Sequence, residues 1–378
     1  MGKIFAPLYG HEADMAKLAD AARLRQLIPQ AGIDFSSNDY LGLASSGLLA
    51  DAARDALDQG VPLGSGGSRL LRGNHAAHEA LEAEAVAIFG CEAALAFSSG
   101  YAANTCLFST LPQKDDVILY DMLVHASAHE GMRLSRAQTR SVRHNDVQGF
   151  ADAIKDWRNA GGTGTIWIAV ESLYSMDGDV APIDELATLA DQNQAMFLID
   201  EAHATGVYGA NGLGLAGHLE GRCNVITLRT LGKALGCEGA LICGPTICRD
   251  FLVNRGRSFI FSTAPSPFMA AVARVALQTM AKQPDRRDLL WQRVRYAEAL
   301  FGSLGIAASG SQIIPIIIGN DRRAMVAAQF LQTAGFDVRG IRPPTVSEGT
   351  SRLRVSITLN VSEADIIALA TTLAAVLA

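Results

Sequence analysis

The stretch "AMFLIDEAH" (195–203) decides how this chain is read. It is an apolar run too short for a buried helix, with no polar alternation, so it reads as a strand covered on both faces. It ends on an acid, Asp200, and His203 follows three residues later. Working outward, "DDVILYD" (115–121), "TIWIAVES" (165–172), "NVITLRT" (224–230) and "GALICG" (239–244) have the same texture. Helix-like segments such as "HAAHEALEAEAVAIFG" (75–90) and "PIDELATLADQNQ" (182–194) lie between several of them. That alternation predicts an α/β fold, a mostly parallel central sheet with helices on both faces.

The ends of the chain have a different texture. Residues 1–33 read as a helical arm ending near Pro29, and 34–264 as the large domain. From 265 to 378 come a long helical stretch, "PFMAAVARVALQTMAKQ", and a strand candidate, "QIIPIIIG" (312–319). A helix over 322–334, a second strand candidate "LRVSITLN" (353–360) and a terminal helix follow, which predicts a smaller α+β domain.

Composition excludes several classes. The chain has 378 residues, 49% of them hydrophobic, enough for a sizeable core and too apolar for disorder. A net charge of −6 with no Lys/Arg-rich run argues against nucleic acid as a partner. "MGKIFAPLYG" (1–10) has neither the apolar core of a signal peptide nor, with Ala6, a myristoylation pattern. No apolar run has the length of a membrane span. Six cysteines stand without a CxxC pair or metal-ligand spacing, which fits reduced thiols and no metal. These features give the expectation of a cytoplasmic protein.

Ligands of open α/β sheets bind beyond the carboxyl ends of the strands, so the residues just past those ends matter most. Asp200 there is either a helix cap or a functional acid. Lys233, in "TLRTLGKALG" (227–236), lies three residues past its strand, between Gly232 and Gly236. It suits a phosphate ligand or a Schiff-base amine. "SSGYAAN" (98–104) follows the apolar "AALAF", so Gly100 opens a helix whose backbone N–H groups can hold an anion. His125 follows the strand ending at Asp121. An amine, an acid, a ring and a phosphate cradle are together what pyridoxal 5′-phosphate requires. The amine condenses with its aldehyde, and a buried carboxylate keeps its pyridine nitrogen protonated. "GSGGSRLLRGN" (64–74) looks like a dinucleotide loop but follows no apolar strand, so it predicts a tight loop near a ligand or a subunit boundary.

The chain resembles the α-oxoamine synthases, pyridoxal-phosphate enzymes of the aspartate-aminotransferase fold (fold type I). "FSSNDYLGLA", "GSGGSRLLRGNHAAHEALE", "FSSGYAAN", "HAS", "ESLYSMDGDVAPI", "LIDEAHATGVYGANGLG", "TLGKALG" and "FSTAPSP" stand in that family's order. The resemblance implies that Lys233 binds the cofactor's aldehyde and that Asp200 pairs with its pyridine nitrogen. It implies that His203 bonds the cofactor's phenolic oxygen, and that His125 stacks on the ring and orients substrate. Ser175 and Thr230 become cofactor contacts, with Thr230 near the phosphate, and the backbone of Gly100 and Tyr101 lines the site. Ser262 and Thr263 resemble hydroxyls that reach the phosphate across the interface of a homodimer with shared sites. Arg354 resembles an arginine that grips the amino-acid carboxylate, with Asn38 assisting. Arg25 and Thr345 resemble contacts to the acyl substrate. "IRPPTVSEGTSRLRVS" (341–356) is most similar to the member that condenses L-alanine with a pimeloyl thioester, carried on CoA or acyl carrier protein. The neighbouring alternative is a relative with another amino acid or acyl group. The chain departs from the family at Asn360, where a histidine is common, and at Cys237 and Glu238, where small residues are common. Glu238 is open to two readings, a surface residue or a modifier of the acyl channel.

Overall fold

The structure is a computed structural model and describes residues 6–377. It divides into two compact units. One comprises Asn38–Ser175 and Asp179–Leu289; the other comprises the described residues through Ser37, Met176–Gly178 and the chain from Leu290 onward.

The larger unit is built on a seven-stranded sheet. Its strands are β1 (Ala93–Phe97), β2 (Val117–Asp121), β3 (Gln138–Val142), β4 (Ile166–Glu171), β5 (Met196–Asp200), β6 (Val225–Thr230) and β7 (Ala240–Gly244). Their spatial order is β1-β7-β6-β5-β4-β2-β3. All neighbours are parallel except that β7 runs antiparallel to both β1 and β6. The expected α/β architecture is therefore present; the antiparallel β7 and the polar edge strand β3 are additions to it. The sequence "QTRSV" of β3 carries no buried run, because an edge strand buries little.

Side-chain alternation explains why the central strands read as continuously apolar. Val117, Leu119, Ile166, Ile168, Val170, Phe197, Ile199 and Val225 belong to one buried cluster. Ile118, Trp167, Ala169, Leu198, Ile226 and Leu228, from the same strands, belong to another. Successive residues point to opposite faces, and both faces are covered, so most positions are apolar. Helices Val147–Asn159 and Ile183–Gln192 cover the first face through Phe150, Ile154, Trp157, Ile183 and Leu186. Helices Gly100–Thr110 and Ala126–Leu134 cover the second through Ala103, Leu107, Phe108 and Ala128.

The division of the chain differs from the expected boundaries at 33/34 and 264/265. Helix Pro267–Lys282 packs with the larger unit, where Glu84 of helix Ala76–Phe89 accepts from Arg274 Nε at 3.0 Å and Gln278 Nε2 at 2.6 Å. His78 and Ser65 hold the chain just before it through the Pro265 carbonyl. The N-terminal arm groups with the C-terminal residues. Its helix spans only Tyr9–Asp20, with no helix from there to Pro29. Ile33 pairs with Phe336, Phe35 O accepts Ser356 N–H at 2.8 Å, and Arg23 Nε meets Asp321 at 2.9 Å. The smaller unit otherwise consists of three antiparallel strands, Ile313–Gly319, Arg339–Ile341 and Ser351–Ser356, with the part of helix Pro284–Gly302 from Leu290 on and helices Asp321–Thr333 and Glu363–Leu377. The last strand starts two residues before the expected "LRVSITLN", because Ser351 and Arg352 already pair with Gly319 and Ile317.

A buried ion cluster fixes the loop that follows β5. Arg229, on β6, is fully buried; its Nη2 meets Glu220 at 2.6 Å and its Nη1 lies 4.0 Å from Glu201. Nη1 also donates to the Leu213 carbonyl at 2.6 Å, and the guanidinium lies 4.0 Å from the centre of the Phe89 ring. Glu201 accepts the backbone N–H groups of Leu215 and Ala216 at 3.0 and 2.7 Å. Segment 201–220, which begins beside His203, is thus tied to the middle of the sheet. Arg229→Met strands two buried carboxylates and is expected to cost about 3–5 kcal/mol of unfolding free energy. Urea unfolding of the variant checks this, and a change near zero would show that the cluster adds nothing to stability.

Candidate active site

The carboxyl ends of β4, β5 and β6 lie side by side. Glu171 is the Cα partner of Asp200, and Asp200 is in turn the partner of Leu228. Asp200 is held on both oxygens: Oδ1 accepts Ala202 N–H at 2.9 Å and Oδ2 accepts Asn104 Nδ2 at 2.8 Å. Such donors stabilise the ionised carboxylate. Asn104 is buried in helix Gly100–Thr110 and also donates to Ser127 Oγ at 3.0 Å. Ser127 Oγ lies 2.7 Å from His125 Nδ1, which in addition accepts Ser127 N–H and caps helix Ala126–Leu134. A continuous chain of hydrogen bonds therefore runs from Asp200 to the edge of the His125 ring. Surrounding protein lowers the His125 pKa, the charge of Asp200 opposes this and that of Lys233 adds to it, so the ring is neutral at pH 7.

His203 is buried, and its Nδ1 lies 2.6 Å from the hydroxyl of the fully buried Tyr40. Tyr40 OH also lies 3.0 Å from Asn38 Oδ1. The hydroxyl thereby fixes the orientation of the imidazole.

Lys233 is presented by a closed loop. Leu231 N–H donates to Gly239 O at 2.9 Å, Cys237 N–H to Leu231 O at 2.8 Å, and Gly236 N–H to Lys233 O at 2.9 Å. Gly236 has φ +62°, and a Cβ there would stand 2.4 Å from Ala44 N, so only glycine lets the loop seat on residues 43–44. Thr230 Oγ1 accepts Gly232 N–H at 3.3 Å at the loop's entrance. Across from it, helix Gly100–Thr110 begins with a Ser99 side-chain cap on Ala102 N–H. A Cβ placed on Gly100 would stand 3.9 Å from Thr230, so the helix start and the end of β6 are neighbours. Tyr101 is exposed beside them.

Ser175 lies in the loop after β4, which a histidine anchors. His144 Nδ1 meets Asp121 at 3.0 Å, its Nε2 meets Asp179 at 2.6 Å, and the Tyr174 ring packs edge-on at 4.5 Å. Burial alone would lower the His144 pKa, but the hydrogen bonds to both carboxylates raise it to about 10. Ser262 and Thr263 are exposed, next to Ala264, whose N–H donates to Gly67 O in the glycine-rich loop at 2.9 Å. That loop approaches itself closely: a Cβ on Gly73 would lie 2.1 Å from Gly67 O.

The remaining expected residues belong to the smaller unit. Arg354 is buried in strand Ser351–Ser356, and its Nη1 donates to Ser356 Oγ at 2.8 Å. Arg25 is exposed, and its Nη2 donates to Thr345 Oγ1 at 3.2 Å. Asn360 is exposed. Of the two departures beside the lysine, burial and the charge of Asp39 push the Cys237 thiol up to about 12, so it is no nucleophile at pH 7. Glu238 is exposed and lines a pocket of about 40 Å³ with His78, Phe97 and Pro265.

Sequence reading missed Tyr40, Asn104, Ser127 and Glu171, although each lies inside a quoted motif. None carries a signal alone; they matter through what they hold. Among the described residues no cluster of His, Cys, Asp or Glu could hold a metal ion, and no helix is long and apolar enough to cross a membrane. The arrangement fits a flat cofactor with an aldehyde, a basic ring nitrogen and a phosphate. An amine, a hydrogen-bonded carboxylate, a neutral imidazole and a capped helix start converge in one unit.

One prediction concerns His144. Its pKa rises on folding from 6.5 to about 10, so its contribution is fully present below about 6.5 and is lost as pH climbs through about 10. The stability gap between the wild type and His144→Gln, from urea unfolding at a series of pH values, should therefore narrow across that window. A constant gap would refute the charged assignment.

Comparison with known proteins gives the chain's family. The family model described as aminotransferase class I and II matches residues 30–373. The chain is 40% identical over 347 residues to 8-amino-7-oxononanoate synthase 2 of Bacillus subtilis (strain 168), covering 90% of this chain and 88% of that one. It is 42% identical over 351 residues to 8-amino-7-oxononanoate synthase of Anaeromyxobacter dehalogenans (strain 2CP-1 / ATCC BAA-258), covering 92% and 87%. The serine palmitoyltransferase structure from Sphingomonas wittichii superposes with a TM-score of 0.88 at 26% identity, covering 99% of this chain and 98% of that one. The chain belongs to the aminotransferase class I and II family and, within it, to the α-oxoamine synthases, the pyridoxal-phosphate-dependent acyltransferases whose ordered motifs it carries.

Proposed function

We propose that this chain condenses L-alanine with a pimeloyl thioester, of CoA or acyl carrier protein, to give 8-amino-7-oxononanoate. In the balanced reaction, the alanine Cα bonds to the thioester carbonyl carbon, the C–S bond breaks to free the thiol, and the alanine carboxylate leaves as CO₂. The observation that carries the substrate choice is the similarity to curated 8-amino-7-oxononanoate synthases over most of both chains.

Pyridoxal phosphate, when bound, would supply an aldehyde for the amino group and an electron-withdrawing ring. The chain's residues do the rest. Lys233 Nζ would hold the aldehyde of the cofactor and act as the base for the Cα proton of the amino acid. Asp200, held by Ala202 N–H and the Asn104 amide, would pair with the ring nitrogen. His203, oriented by Tyr40, would hydrogen-bond the cofactor's phenolic oxygen, and Ser175 would be a further cofactor contact. His125 is neutral and stacks on the ring while orienting substrate. The N-terminus of helix Gly100–Thr110, the Gly100 and Tyr101 backbone and the Thr230 hydroxyl take the phosphate on one side. Ser262 and Thr263 take it from the second subunit of a homodimer. Arg354, assisted by Asn38, binds the amino-acid carboxylate bidentately, and Arg25 and Thr345 contact the acyl chain.

A second reading is supported by the fold likeness to serine palmitoyltransferase, which admits another amino acid and a longer acyl group. Purified protein should form product from alanine and a pimeloyl thioester in a panel of alanine, glycine and serine against several thioesters. Turnover of serine with palmitoyl-CoA alone would select the second reading. Lys233→Ala should lose both product formation and the visible absorbance of covalently held cofactor, and persistent turnover would remove Lys233 from its role.

A further inference from the structure

Glu171 is a buried acid that the proposed chemistry does not use. It ends β4, is 3% exposed, and stands opposite Asp200 across the β4–β5 ladder. Paired residues of adjacent strands project to the same face, so the two carboxyls are neighbours. Both line one small cavity of about 10 Å³, together with Asn104, His125 and Phe108. They are not equally supplied with donors. Asp200 receives Ala202 N–H on one oxygen and Asn104 Nδ2 on the other. Glu171 receives the backbone N–H of Ser175, and its Oε1 has no hydrogen-bond partner among the described residues. A second charge on the buried Glu171, beside the half-buried and donor-supplied Asp200, is disfavoured both by burial and by the neighbouring carboxylate.

We propose that Glu171 is a positioning residue that stays protonated beside Asp200, so that one negative charge sits on Asp200 while the Ser175 loop docks on a neutral acid. Burial and the charge of Asp200 both push the Glu171 pKa well above 4.5. Asp121 on β2 acts in the same direction, and Lys233, past β6, opposes them. His125, which lines the cavity from the loop before helix Ala126–Leu134, is neutral. The value of a single charge on Asp200 rests on the functional reading above, but the proton on Glu171 can be tested with no cofactor present.

The experiment uses the full chain stripped of cofactor, as wild type, Glu171→Gln and Glu171→Asp. A folded-state pKa raised above the unfolded value gives the wild type stability that is present below about 4.5 and lost as pH rises through the folded pKa. Glu171→Gln lacks that loss, so its Tm should rise relative to wild type as pH increases. Curves that stay parallel, or diverge in the opposite sense, overturn the proposal. Infrared spectra near neutral pH should show a protonated-carboxyl C=O band in the wild type, shifted in Glu171→Asp and missing in Glu171→Gln. Its absence from the wild type overturns the proposal even if Glu171→Gln fails to fold. With cofactor restored, Glu171→Gln should keep wild-type cofactor affinity and the pH profile of kcat/KM, whereas Glu171→Ala should lose about tenfold in affinity as the Ser175 loop is released. A tenfold loss in Glu171→Gln as well would mean that a charged Glu171 is required. If the wild type itself binds no pyridoxal phosphate, the functional reading fails while the Tm and infrared results still decide the state of Glu171.

Discussion

The parallel pairing of β5 with β4 on one side and β6 on the other is the constraint on which the larger unit depends. It places Glu171, Asp200 and the end of β6 at one edge, because strands running in one direction finish together. The same arrangement forces each connection between parallel neighbours to cross over, which lays helices on both faces and makes the strands largely apolar. The reactive side chains are then set by short segments leaving that edge. His203 stands three residues past β5 and Lys233 three past β6, with little length in which to drift.

Rigid support lies directly behind these residues. The Arg229 cluster binds the loop after β5 to β6 from within the core. Asn104 reaches from a helix on one face to fix Asp200 and, through Ser127, His125. Tyr40, from the beginning of the larger unit, fixes His203. An acid, two imidazoles and an amine are thus held by groups whose own positions are set by packing, which keeps a catalytic geometry within narrow limits.

Much of this was legible because the chemistry is concentrated at strand ends. Lys233, Asp200, His203 and His125 all stood just past apolar runs, and the glycines flanking Lys233 announced a constrained loop. The roles of Asn104, Tyr40, Ser127 and Glu171 were not legible. An asparagine, tyrosine, serine or glutamate has many ordinary uses, and only distance to a partner far along the chain singles one out. Tyr40 and His203 are separated by 163 positions and Asn104 and Asp200 by 96, so no local pattern connects them. The expected domain boundaries differ from the division of the structure for a related reason. Helix Pro267–Lys282 has the texture of the C-terminal helices, but its Arg274 and Gln278 bind Glu84, some 190 positions earlier.

By itself the sequence determined the fold class and the family and singled out four candidate residues at strand ends, because hydrophobic period, strand-end chemistry and motif order are local properties of the chain. The tertiary structure alone decided the antiparallel course of β7, the attachment of the N-terminal arm to the C-terminal unit, and the pairing of Glu171 with Asp200. Each of these depends on strand register and on long-range hydrogen bonds, and a residue's neighbours in sequence carry no information about either.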